Sequence, residues 1–170
     1  MNSIVHSEEK EGRDKIFDLI KDIRIAQLIT QSGDGQLCAR PMSAVEYDDV
    51  DGALWFYTSI DSAKVAEIEY NPHVLLSYSE PSEQNYVSIS GTAEIITDHT
   101  KIKELWFEPV RIWFPDGPDD PNLALLRVTP YSAEYWDAPA KSFVYAFGYI
   151  RQRLTGKAPK TGDHGKINMH

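Results

Sequence analysis

The spacing of apolar positions changes period several times along this chain, and the changes mark its elements. Over residues 13–24, Ile16, Leu19, Ile20 and Ile23 share one helical face with charges opposite, which predicts an amphipathic helix. Residues 25–31 read as a strand, 32–36 as a tight Gly-containing turn, and 37–47 as a second strand ending in the acidic turn 48–52. Residues 53–57 form an aromatic run suited to a half-buried sheet. Val65, Ile68 and Tyr70 then continue at helical spacing until Asn71-Pro72 stops the pattern. Residues 73–78 and 86–96 are strand-like, 97–107 reads as a short helix, and 124–136 as a strand interrupted at Thr129-Pro130. The mixed pattern over 141–154 supports no assignment. Antiparallel strands joined by hairpins, with a few helices at the ends, predict a mainly β fold with peripheral helices, a small barrel.

Composition narrows the function classes. A length of 170 residues fits one domain that buries about two-thirds of its unfolded surface. The net charge of −9 argues against nucleic acid or an anionic membrane as partner. No basic run precedes an apolar stretch at the N-terminus, and no apolar run approaches a bilayer span, so the cytoplasm is the expected location. Cys38, the single cysteine, permits no internal disulfide and reads as a small buried core residue. The histidines lack metal-ligand spacing, and prolines break any calcium pattern around Asp116, Asp119 and Asp120, so no metal is expected.

Two stretches carry candidate chemistry. From Phe56 to Lys64 a strand runs straight into a helix that Ser59 or Asp61 can cap. Lys64 lands in the first turn, where its charge opposes the positive end of the helix dipole. An anion held there by N–H groups, hydroxyls and the ammonium removes the conflict; a solvated lysine is the competing reading. The second stretch, Arg40-Pro41-Met42, interrupts a strand with a residue that cannot donate to a ladder, as beside an approaching ligand. Arg40, on the same face as Cys38 and Met42, needs an anionic or planar partner: a ligand, or a nearby Glu.

Together these residues resemble the flavin-binding split-barrel family of pyridoxamine 5′-phosphate oxidase, especially its general-stress-protein-like branch. The resemblance runs from about Ile16 to Gly156 and also rests on Gly91-Thr92-Ala93-Glu94, Arg127-Val128-Thr129-Pro130, Glu134-Tyr135-Trp136-Asp137 and the Trp113 to Pro121 loop. It implies a split β-barrel of the FMN-binding type over 1–154; the tail over 155–170, Gly- and Lys-rich, reads as mobile or as a segment that closes over a ligand. It implies that Arg40, Thr58, Ser62 and Lys64 hold the FMN phosphate, and that the backbone from Arg40 through Pro41 to Met42, with Tyr57, flanks the ribityl chain and ring. By the same resemblance Trp136 meets the flavin from the partner subunit of a homodimer with flavin at the interface. Departures stand where the oxidase binds its vitamin phosphate. Val45 replaces a lysine and residues 137–143 lack the basic run of the oxidase, while Tyr86 replaces a glutamine that in the oxidase faces the flavin ring. The implied activity is flavin-dependent oxidoreduction with a small-molecule electron donor or acceptor, without pyridoxamine-phosphate oxidation; no catalytic residue is identified. The alternatives are a non-catalytic flavin-binding stress or sensing module, and a relative binding deazaflavin or haem.

Overall fold

Ala26, Leu28 and Thr30 are buried while Ile25 and Gln27 are exposed, so the first strand lies with one face on a core and one on water. The computed structural model describes residues 2–48, 51–137 and 163–169. Helix α1 (Asn2–Ile23) leads into β1 (Ile25–Gln31), β2 (Leu37–Tyr47) and β3 (Leu54–Ser59). Helix α2 (Ala63–Tyr70) precedes β4 (His73–Glu80) and β5 (Asn85–Ile96), and α3 (His99–Leu105) precedes two 3-10 turns, Glu108–Ile112 and Gly117–Asp119. The long β6 (Leu123–Asp137) and then β7 (Asp163–Asn168) complete the order.

The strands lie in the order β3-β2-β1-β4-β5-β6-β7, and β3 pairs back onto β6 to close an antiparallel barrel. Closure explains the near-continuous apolar runs of β3 and β6, which are covered on both sides. Leu54, Phe56, Leu126 and Val128 face the barrel core with Ile16 and Ile20 of α1. Ala53, Trp55, Leu123 and Leu125 face a second cluster with Ile102, Val110 and Phe114. The barrel is split on one side. Residues 37–43 of β2 pair with β1, and only Ala44, Glu46 and Tyr47 pair with β3, across a register shift between Ala44 and Glu46. The backbone edge of β2 at Arg40, Pro41 and Met42 therefore has no partner on the β3 side.

Three expectations need correcting. Strand β6 runs unbroken through Pro130: Ser90 faces Ser132 and Gly91 faces Pro130, so Tyr131 is an extra residue on β6 that takes up the irregularity as a bulge. The end of the expected mobile tail is ordered instead: Asp163–Asn168 pairs with Ser132–Asp137 of β6, and Met169 is buried, with its N–H bonded to the Tyr131 carbonyl. Cys38 is half-buried rather than a core residue. Among the aromatic residues before β6, Phe114 is buried while Phe107 and Trp113 are 48% and 73% exposed. Residues 138–162, including the unassigned 141–154 stretch, lie outside the described part.

Gly91 is required by a close approach. A Cβ there would sit 2.7 Å from the Thr129 carbonyl oxygen and 2.9 Å from Val128 Cγ1. Gly91→Ala should destabilise the protein by about 2 kcal/mol through overpacking at the β5–β6 shift. Urea unfolding should show a lower midpoint with an unchanged slope; an unchanged midpoint would refute the packing argument.

Candidate functional site

Where β3 leaves the sheet, its last residues and the start of α2 build a cluster of hydroxyls around one ammonium. Ser62 is the N-cap of α2, in place of the expected Ser59 or Asp61, but its side chain does not cap the helix. Its hydroxyl donates to the Ser59 carbonyl at 2.7 Å and accepts from Lys64 Nζ at 2.9 Å, with Thr58 Oγ1 3.3 Å away. The first turn thus begins without a side-chain acceptor for its N–H groups, and Lys64 stands beside them. Burial, and then the Arg40 guanidinium, push the Lys64 ammonium below its ordinary pKa, opposed by Glu67. A bound anion would act against both effects by favouring the charged ammonium.

Arg40 reaches the cluster from β2. Its Nη2 donates to Glu67 Oε2 at 2.7 Å, and its Nη1 donates to the Thr30 hydroxyl, which in turn donates to Glu67. The Glu partner that the sequence left open is therefore Glu67. Burial works against the Glu67 charge, but the bonds from Thr30 and Arg40 outweigh it and hold the carboxyl below its ordinary value. Neither Thr30 nor Glu67 was singled out from the sequence. The available signal was a carboxylate three residues after Lys64, on the same helix face.

The other expected residues divide. Pro41 is exposed on the open edge of β2, opposite Gln27, and Met42 packs against the barrel core. Tyr57 donates its hydroxyl to the Leu105 carbonyl, and its ring lies 6.3 Å from Trp106 and 6.1 Å from Phe107, tying β3 to the end of α3. Trp136 does not join the cluster. Thr58 pairs with Ala124 near the start of β6, and Trp136 lies near the far end of that strand, a path on the order of 40 Å. There it stacks on His164 with centroids 5.0 Å apart and pairs across the sheet with Tyr86. Val45 packs against the second apolar cluster, and Asp137 pairs with Lys15 at 3.1 Å. No helix is long and apolar enough to cross a membrane among the described residues.

Residues 11–160 match the family described as pyridoxamine 5′-phosphate oxidase like. The chain is 30% identical to General stress protein 26 of Bacillus subtilis over 79% of its own length and 94% of that protein. It is also 30% identical to Protein bli-3 of Neurospora crassa over 59% of its length, but spans only 52% of that relative. The general stress FMN/FAD binding protein of Xanthomonas citri superposes with a TM-score of 0.67 at 34% identity, covering 78% of this chain and 92% of that one.

The lowered Glu67 pKa fixes the sign of an acid effect. A carboxyl whose folded value is depressed stabilises the folded chain above its unfolded value, about 4.3, and loses that contribution as pH falls through the folded value. Glu67→Gln should therefore flatten the loss of stability between about pH 5 and 3. Parallel wild-type and variant curves of urea midpoint against pH would show that the carboxyl is not held as described.

Proposed function

The chain belongs to the pyridoxamine 5′-phosphate oxidase like family, and from that premise we propose that it binds FMN and acts as a flavin-dependent oxidoreductase of the general stress protein 26 type. The observation that carries this reading is Lys64: a half-buried ammonium held below its ordinary pKa, bonded to Ser62, at the mouth of the β2–β3 split. The residues present fit a flavin phosphate. Lys64, Ser62 and Thr58 supply the ammonium and hydroxyls, with Arg40 behind them. The unpaired backbone edge from Arg40 through Met42 offers donors and acceptors along the ribityl chain, and Tyr57 borders the ring side of the cleft. Bound flavin supplies hydride or electron transfer. The protein's own part is to hold the phosphate, orient the ring and exclude water.

Trp136 belongs to the same reading through a second copy. Within one chain it stands far along β6 from Thr58, yet it keeps 41% exposure on a flat aromatic face. A symmetric dimer brings this face to the partner's flavin, and the exposed Phe107, Ile112 and Trp113 provide apolar surface for association. The electron partner is small, planar and uncharged rather than a vitamin phosphate. A dianion needs fixed positive charge, whereas Val45 is packed among apolar side chains and the Lys15 ammonium is already taken up by Asp137.

Lys64→Ala should weaken FMN binding by about 2–4 kcal/mol, because it removes one partner of a desolvated charge pair, and should affect riboflavin far less. Equal losses for the two ligands in a fluorescence titration sink the phosphate assignment. Sedimentation of the flavin-loaded protein at micromolar concentration should show a dimer; a flavin-loaded monomer refutes the shared site.

A further inference from the structure

Glu67 stands where an anion site should least tolerate a carboxylate. It follows Lys64 by three residues on α2 and so shares its face. Its side chain is only 11% exposed, 2.7 Å from Arg40 Nη2, and it also accepts from the Thr30 hydroxyl and the Cys38 thiol. Both terminal nitrogens of the Arg40 guanidinium are thereby engaged inside the protein, one by Thr30 and one by Glu67. The Lys64 ammonium, by contrast, is bonded to a neutral hydroxyl.

Two physical consequences share one sign. A carboxylate in a poorly solvated pocket repels a neighbouring anion, and the repulsion is weakly screened there. A guanidinium already bonded to Thr30 and Glu67 can turn its fork to a phosphate only by sharing or loosening those bonds, and loosening the bond to Glu67 leaves that carboxylate buried with a weaker partner. Both effects bear on a phosphate group and leave an uncharged ring and sugar chain untouched.

We propose that Glu67 sets the phosphate affinity of this site: by occupying Arg40 and opposing the incoming charge, it makes a phosphate monoester exchangeable rather than permanently held. This rests on the reading of the cluster as a flavin-phosphate site. Lys64 is then the first cation the phosphate meets, and Arg40 is shared between Glu67 and the ligand. Glu67 is a specificity-determining residue, because it narrows the preference for phosphorylated over unphosphorylated flavin.

The test titrates FMN and riboflavin into wild-type, Lys64→Ala, Glu67→Gln and Glu67→Met proteins at fixed ionic strength, with folding checked by urea unfolding. Glu67→Gln keeps the shape and removes the charge. It should tighten FMN about tenfold and slow FMN dissociation by a similar factor, with riboflavin changed by less than about twofold. Glu67→Met, which fills the volume without hydrogen bonding, should shift FMN in the same direction and serves if the Gln variant folds poorly. FMN affinity that falls or stays constant in the folded variants overturns the proposal and leaves Glu67 as an orienting partner of Arg40. Lys64→Ala separates the two levels. If it weakens FMN and riboflavin alike, the phosphate site itself is misplaced; if it weakens FMN selectively while the Glu67 variants do not tighten it, only the role of Glu67 fails.

Discussion

A register shift between Ala44 and Glu46 divides β2 into a half that pairs with β3 and a half that pairs with β1 alone. The shift holds the two strands together at Tyr47 and Leu54 and parts them by Arg40 and Thr58. One bulge therefore leaves backbone donors and acceptors without a ladder partner, and brings side chains from β1, β2, β3 and α2 to the rim of the same opening. The remaining pairings, continuous from β1 through β4 and β5 to β6, keep that opening in one place.

The barrel fixes the opening from behind as well. Strands β3 and β6 are covered on both faces, so Phe56 is locked into one core and Trp55 into another. The Trp55 ring also lies between Lys101, 5.0 Å from its centroid, and Arg127, 5.7 Å away. Arg127 is bound in turn to Asp51 and Glu94. With both neighbours of its inward residues held, β3 delivers Tyr57 and Thr58 at fixed heights. Tyr57 fastens the α3 side, and Thr58 faces the hydroxyl cluster.

Much of this was legible in the sequence, and the exceptions are instructive. The spans 25–31 and 37–47 could be read because alternation and a Gly-containing turn point to the same register. The ends of β6 could be read, but its continuity through Pro130 could not, because the bulge at Tyr131 that carries the strand past the proline is visible only in its pairing with Ser90 and Gly91 of β5. Strand β7, of sequence DHGKIN, carries little intrinsic strand preference; it is extended because the edge of β6 offers it a ladder. At the site, the cation types and their positions were visible. Which group Arg40 chooses was not, since Thr30 and Glu67 are distant in sequence and meet only when α2 packs on β1.

The open half of β2 also bears on how the unliganded protein avoids its own kind. An unpaired strand edge is a template on which another chain can add a strand, the usual route to edge-to-edge aggregation. On the other side of the sheet that hazard is met by β7, which covers the last residues of β6. On β2 it falls to Pro41, which has no N–H to give a new neighbour. The proline that interrupts the ladder at the split thus also makes the bare edge a poor partner for a second strand, so that one residue both keeps the edge open and blunts it.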